Sequence, residues 1–167
     1  MLKPAVFLDR DGVINVEKGY VFKIQDFEWV DEAKEGIKYL NSNNYHVFVV
    51  TNQSGIARGY YSKEDVETLH NYINSELNKI DAHIDEFFYS PYHPEGIYKE
   101  YEALSHLRKP ETGMLELAAK KWQIKKSKSF MIGDMPHDIE CAERYGINGY
   151  LFRGGSLLDF IKNIQNL

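Results

Sequence analysis

The 167-residue chain has a single cysteine, Cys141, so it can close no internal disulfide and cannot by itself build a structural zinc site. That count fits a reducing compartment, and a cytoplasmic protein is the expectation. No apolar run approaches the roughly 20 residues that span a bilayer, and no stretch of signal-peptide length precedes Asp9. Neither secretion nor membrane association is expected. The chain also lacks an excess of positive charge: 20 Lys+Arg against 25 Asp+Glu leave a net charge of -5, so no broad field draws nucleic acid or an anionic surface. Any phosphate must be held by local groups. What is present is a globular composition, 43% hydrophobic and 27% charged, without repeats or linkers, which predicts one domain over 1–167.

The apolar run Ala5-Val6-Phe7-Leu8 ends in charge, as a buried strand does when it delivers its tip to solvent. From Gly12 to Val30 the pattern is irregular and aromatic, and reads as a turn and a surface flap. Ala33, Ile37 and Leu40 follow helical spacing with Asp31 placed to cap, and Val47-Phe48-Val49-Val50 form the second strand. Ser62 and Asp65 resemble a capping box ahead of a helix carrying Val66, Leu69, Ile73, Leu77 and Ile80 on one face. Ile84 to Tyr89 reads as strand three, and a polar loop from Ser90 to Thr112 leads to a helix bearing Met114, Leu117, Ala118 and Trp122. Ser129-Phe130-Met131-Ile132 is strand four; a helix with Ile139, Ala142 and Tyr145, a strand at 149–152 and a helix from Ser156 follow. Single helices between uniformly apolar strands predict an α/β, Rossmann-like doubly wound parallel sheet with helices on both faces. Ligands of such sheets bind beyond the carboxyl ends of the strands.

Three of those ends are polar. Asp9 and Asp11 follow strand one, Thr51 and Asn52 follow strand two, and Gly133-Asp134 with Asp138 follow strand four. Carboxylates two apart leave an extended strand end on the same side, and like charges this close need a cation or a proton. Asp134 adds a third carboxylate, an oxygen set suited to magnesium. A solvated turn accounts for one Asp-x-Asp-Gly segment, though less readily for three polar tips on one rim. Lys109 alone reads as a solvated lysine, yet its ammonium can reach phosphate at that rim. Asn52-Gln53-Ser54-Gly55 can offer backbone N–H groups to an anion, or can be a plain strand-to-loop turn.

Phe7-Leu8-Asp9-Arg10-Asp11-Gly12-Val13-Ile14-Asn15 resembles the first motif of haloacid-dehalogenase-type (HAD) phosphatases, and Thr51, Lys109 and Gly133-Asp134 resemble the next three. Gly19-Tyr20-Val21, the segment from Thr51 to Gly59 and Arg108-Lys109-Pro110 look like the D-glycero-D-manno-heptose-1,7-bisphosphate 7-phosphatase family, whose near relatives include histidinol-phosphate phosphatases. The resemblance implies Asp9 as nucleophile, Asp11 as general acid and base, and Thr51 and Lys109 as phosphate-stabilising groups. It implies a Mg2+ held by the side chains of Asp9 and Asp134 and the backbone carbonyl of Asp11, with Asp138 supporting that shell or Lys109. Glu17, Lys18, Gly19 and Tyr20 match flap positions near substrate, and Arg108 a residue at the sugar-phosphate end. Arg10, Asn52, Gln53 and Ser54 complete the expected substrate-binding set, and Arg58 either joins it or braces its loop.

Two departures stand out. Family members commonly carry a zinc loop, but the corresponding positions here are Ser90, Tyr92, Ser105 and Leu107, so no zinc is expected. His93 and His106 then read as surface histidines, and packing by Tyr92, Tyr98, Tyr101 and Leu104 as the substitute for the metal. Met135 stands where a lysine is frequent in the heptose enzymes. Only about 20 residues separate strand three from Lys109, too few for a cap domain. The expected protein is a monomeric, magnesium-dependent phosphatase acting on a small sugar phosphate. The implied reaction removes the 7-phosphate of heptose 1,7-bisphosphate in the route to nucleotide-activated heptose for lipopolysaccharide or another surface polysaccharide. Histidinol phosphate is the alternative substrate. A silent phosphosugar-binding module is the non-enzymatic alternative, but binding alone has no use for a nucleophile paired with an acid.

Overall fold

The computed structural model describes residues 1–102 and 105–165, so Leu104 of the expected aromatic group lies outside it. Five parallel strands, β1 (Ala5–Leu8), β2 (His46–Asn52), β3 (Glu86–Ser90), β4 (Phe130–Gly133) and β5 (Asn148–Leu151), form one sheet in the order β3-β2-β1-β4-β5. The helices are α1 (Ala33–Ser42), α2 (Lys63–Asn78), α3 (Gly113–Lys121), α4 (Pro136–Tyr145) and α5 (Leu157–Gln165). This is the expected α/β doubly wound architecture, and the described residues include no cap domain.

Strand periodicity splits the core in two. Val6 and Leu8 point with Val47, Val49 and Ile132 into the cluster covered by α1, α2 and α5. Ala5 and Phe7 point the opposite way with Phe48, Val50 and Met131, against Met114 and Leu115 of α3 and Cys141 and Ala142 of α4. A strand buried on both faces has no polar register to alternate with, which is why these runs are continuously apolar. Each large side chain enclosed here contributes roughly 2 kcal/mol of transfer free energy.

Several boundaries moved. Asp31 does not cap α1: Glu32 occupies the N-cap in a left-handed conformation (φ 51°) without a side-chain cap bond, and its carboxylate instead accepts from the Ser156 hydroxyl at 2.8 Å. β2 runs on through Thr51 and Asn52, because β3 pairs with both of them. Ile80 falls beyond α2, whose predicted Ser62/Asp65 capping box is formed.

The sheet order places the site. The chain moves outward from β1 through β2 to β3, then returns to add β4 on the other side of β1. Between β1 and β4 the crossovers diverge to opposite faces, opening a crevice beyond the strand ends. Asp9 follows β1 and Asp134 follows β4, so both stand on that crevice.

Candidate active site

Asp9 is almost wholly enclosed; its Oδ1 accepts from the Arg10 N–H at 2.9 Å and from the Lys109 ammonium at 3.0 Å. Lys109 also donates to Asp138 Oδ1 at 2.7 Å, and neither of those side chains has any solvent exposure. Asp138 Oδ2 accepts the N–H groups of Asp134 and Met135 at 3.2 and 3.1 Å, so one carboxylate caps the start of α4 and anchors the lysine. Lys109 is therefore no solvated loop residue. Asn52 clamps its backbone, with Nδ2 donating to the Lys109 carbonyl at 3.1 Å and Oδ1 accepting the Lys109 N–H at 3.0 Å.

Carboxylate oxygens of Asp9, Asp134 and Asp138 all lie within 4.8 Å of one another. One ammonium faces these three carboxylates, leaving a shortage of positive charge. Burial raises Asp9 well above the usual carboxylate range even though Lys109 pulls the other way. Burial raises Asp134 as well, opposed by its hydrogen bond with Asp9 and reinforced by the Asp138 charge. Burial opposes the Lys109 charge, but Asp9 and Asp138 outweigh it and raise its pKa. Asp138 is saturated by hydrogen bonds, whereas Asp134 Oδ1 is buried without a partner. Gly12, at φ 87°, leaves room for that carboxyl: a Cβ there would lie 2.1 Å from Asp134 Oδ2. An unsatisfied oxygen, a hard donor set and missing positive charge together fit a divalent cation such as magnesium at Asp9 and Asp134.

Asp11 is held by Arg10, Asn15 and Gln53. Its Oδ1 accepts from Arg10 and from Asn15 Nδ2, each at 3.0 Å, and its Oδ2 accepts from Gln53 Nε2 at 3.0 Å. Two expected substrate contacts are corrected by this arrangement. Arg10 has no solvent exposure, and its guanidinium also donates to the Val21 carbonyl at 2.6 Å and meets His70 Nε2 at 3.3 Å. A guanidinium with no exposed surface cannot reach a ligand in the cavity. Gln53 is 2% exposed and spends its amide on Asp11, Thr51 and Tyr61. Both residues spend donors on the Asp11 carboxylate.

Asp9, Asp11, Glu17, Asn52, Lys109, Asp134, Met135 and His137 line a cavity of about 310 Å³. Beside it Asp11, Glu17, Gly19, Tyr20, Asn52, Gln53, Ser54 and Tyr61 enclose a further 260 Å³ or so. The flap thus brings Glu17, Gly19 and Tyr20 to the rim, with Glu17 accepting the Gly19 N–H and Tyr20 packed edge-on against Tyr60 at 4.7 Å. Lys18 points outward instead, paired with Glu28 at 2.8 Å. Arg108 is half-buried and donates to the Tyr92 carbonyl at 3.2 Å; burial and then the nearby Arg58 charge lower its pKa. Arg58 reaches the partly exposed His93 at Nε2, 3.1 Å away. In the segment that corresponds to the family's zinc loop, Tyr101 makes edge-type ring contacts with Tyr92 and Tyr98 at centroid distances of 6.1 and 6.5 Å.

Asn15 carried a signal in its place at the end of the first motif; His70 and Tyr61 carried none, since an isolated histidine or tyrosine on a helical or loop segment looks like packing. His70 stacks on Phe87 at 4.4 Å, and burial, followed by the Arg10 charge, lowers its pKa well below that of a free imidazole. The unfolded chain then gains a proton near pH 6.5 that the folded chain refuses. Stability should be constant above that pH and fall below it, by at most about 1.4 kcal/mol per pH unit from this group. Urea unfolding of wild type and His70→Gln across about pH 5 to 7 checks this: the variant should show the flatter profile, and equal slopes would refute the assignment.

The sequence model of the polynucleotide kinase 3 phosphatase family matches residues 5–145. The D-glycero-beta-D-manno-heptose-1,7-bisphosphate 7-phosphatase of Rhodopseudomonas palustris is 41% identical over 162 residues, 97% of this chain and 90% of that protein. The enzyme of that name from Escherichia coli K12 is 40% identical over 139 residues, 83% of this chain and 73% of its own. Among solved structures, D,D-heptose 1,7-bisphosphate phosphatase from B. bronchiseptica, complexed with magnesium and phosphate, superposes with a TM-score of 0.85 over 98% of both chains at 22% identity. At that identity the likeness speaks for the fold.

Proposed function

Because this chain belongs to the HAD phosphatases, in the family of the D-glycero-D-manno-heptose-1,7-bisphosphate 7-phosphatases, we propose that it hydrolyses the 7-phosphate of a heptose 1,7-bisphosphate through a phosphorylated Asp9. The observation that carries the chemistry is the enclosure of Asp9 between Lys109 and Asp134, with Asp11 held two residues away.

The Arg10 N–H and the Lys109 ammonium both bond Asp9 Oδ1, so Oδ2 is the oxygen assigned to the attack on phosphorus. As the Asp9–phosphorus bond forms, the bond from phosphorus to the sugar oxygen breaks and the Asp11 carboxyl transfers its proton to that oxygen. Asp11, now a carboxylate, takes a proton from water; the water oxygen attacks phosphorus and Asp9 departs with its electron pair, releasing phosphate. Lys109 offsets charge on the phosphoryl oxygens, and the Thr51 hydroxyl stands at the tip of β2 as a donor. Magnesium bound by Asp9, Asp134 and the Asp11 carbonyl would supply further positive charge to the phosphoryl group. Glu17, Gly19, Tyr20, Asn52 and Ser54 line the sugar side, and Arg108, which lines a separate cavity with Lys109, is assigned to the sugar-phosphate end. Without soft ligands at Ser90, Tyr92, Ser105 and Leu107, the loop relies on Tyr92, Tyr98 and Tyr101 rather than zinc.

Steady-state kinetics on a panel of phosphomonoesters, heptose bisphosphate and histidinol phosphate included, tests the substrate. Heptose bisphosphate should give the highest kcat/KM, and a preference for histidinol phosphate would overturn the choice. Chelation should stop turnover, Mg2+ should restore it, and elemental analysis should find no stoichiometric zinc. Restoration by zinc alone would refute the assignment. Metal should also raise the unfolding temperature more at about pH 7 than at about pH 5, since lowering the pH protonates the acidic pair and removes the repulsion that the cation relieves.

A further inference from the structure

Tyr61 is 7% exposed, lies outside every catalytic role assigned above, and yet ends a hydrogen-bonded chain that begins at the acid–base carboxylate. Its hydroxyl donates to Gln53 Oε1 at 2.6 Å; Gln53 Nε2 donates to Asp11 Oδ2 at 3.0 Å and to Thr51 Oγ1 at 2.9 Å. Its ring stacks on Phe22 of the flap at 5.0 Å, and the backbone is cut away to admit it, since a Cβ on Gly55 would stand 2.1 Å from the ring. Burial keeps the phenol protonated well above its usual range, so the hydroxyl remains a donor throughout the working pH.

An amide has two ends of nearly equal shape and opposite hydrogen-bonding character. Both protons of the Gln53 amide nitrogen are committed to Asp11 and Thr51, so its carbonyl oxygen, buried with it, needs a donor from elsewhere. Tyr61 is that donor. Remove the hydroxyl and the oxygen loses its partner, a state the side chain relieves by rotating Oε1 toward the Thr51 hydroxyl or the cavity. Either movement takes the Gln53 donor from Asp11 Oδ2, leaving that oxygen only the longer Arg10 bond at 3.2 Å while Arg10 and Asn15 hold Oδ1 at 3.0 Å. A carboxylate that loses this donor shifts toward the contacts that remain, and proton transfer falls off steeply when donor and acceptor leave hydrogen-bond reach.

We propose that Tyr61 is a positioning residue for proton transfer: by satisfying the Gln53 carbonyl it keeps the amide nitrogen on Asp11 and so aims that carboxyl at the leaving oxygen. The proposal rests on the reading of Asp11 as general acid, and the test separates the two. A sugar alcohol needs a proton to depart, whereas p-nitrophenolate leaves without one. The quantity to compare is kcat/KM, which covers events up to departure of the leaving group, for heptose bisphosphate and for p-nitrophenyl phosphate in wild type, Tyr61→Phe and Asp11→Asn.

Tyr61→Phe keeps the ring stacked on Phe22 and removes one oxygen. It should lower kcat/KM for the sugar phosphate about tenfold, the scale of one weakened hydrogen bond to a charged group, and change that for p-nitrophenyl phosphate less than about twofold. Asp11→Asn should show the same selectivity with a larger loss. Selectivity in Asp11→Asn but an equal loss, or none, on both substrates in Tyr61→Phe would overturn the role of Tyr61. Absence of selectivity in Asp11→Asn would overturn the general-acid reading and the proposal with it. A purely structural role predicts equal losses on the two substrates together with a lowered unfolding temperature.

Discussion

Asp9→Asn is expected to reduce phosphate release from any phosphomonoester by at least about 10^4-fold while leaving the protein folded, as observed for the loss of a nucleophile that acts as part of a unit. The amide is nearly the same shape, and its oxygen can still accept the Arg10 N–H now bonded at 2.9 Å. What disappears is the anionic oxygen that attacks phosphorus. Stability should hardly change, because two effects oppose each other. The pKa of Asp9 is raised by burial, so at neutral pH its charge is less favourable folded than unfolded, and neutralising it is a relief. Against this, Lys109 loses one of its two counterions but keeps Asp138 at 2.7 Å. Chemical denaturation should place the variant within about 1 kcal/mol of wild type. Turnover at the wild-type rate would remove Asp9 from the mechanism.

Lys109→Met should damage both function and fold. The ammonium is fully enclosed between Asp9 and Asp138, and removing it leaves the equally enclosed Asp138 without its cation. Breaking a buried pair by deleting one partner costs about 3–5 kcal/mol, more than the loss of any surface contact in this protein could. The cost is greatest where Asp9, whose pKa burial raises, is ionised, so the variant should recover stability as the pH is lowered toward about 5. Turnover should fall about 10^3-fold, the scale of one preorganised positive group lost from a charged transition state. The double substitution Lys109→Met/Asp138→Asn separates the two effects: it should regain much of the stability and none of the activity. If activity returned with stability, Lys109 would be a scaffold and not a participant.

The two variants differ in how far their premises were legible. Asp9 and Asp11 could be placed on one side of a strand end from their spacing, whereas their roles rested on the resemblance of the motif to HAD phosphatases. Lys109 could be named but not weighed. It follows a polar loop in which every lysine looks solvated, and its burial depends on Asn52 gripping its backbone from a strand tip 57 positions earlier. Arg10 and Gln53 were misread for a related cause. Polar side chains beside a catalytic carboxylate suggest ligand contacts, and only the surroundings reveal whether their donors are already taken. Arg10 is enclosed among Val21, Asp11 and His70, which come from the flap, the strand end and α2.

The amino-acid sequence by itself determined the layered α/β plan and the polar strand ends, while the roles expected of Asp9 and Asp11 and the missing zinc ligands rested on the resemblance of its motifs to a known family. The plan and the polar ends follow from residue type and local periodicity, which are properties of neighbours along the chain. Tertiary structure alone decided which polar groups are spent on one another and which remain for a ligand. It made Lys109 a buried bridge, left Asp134 Oδ1 without a partner, and set Tyr61 behind Gln53. The reason is physical: hydrogen bonds and charges act through space over a few ångströms, and the distances that matter here join residues scores of positions apart.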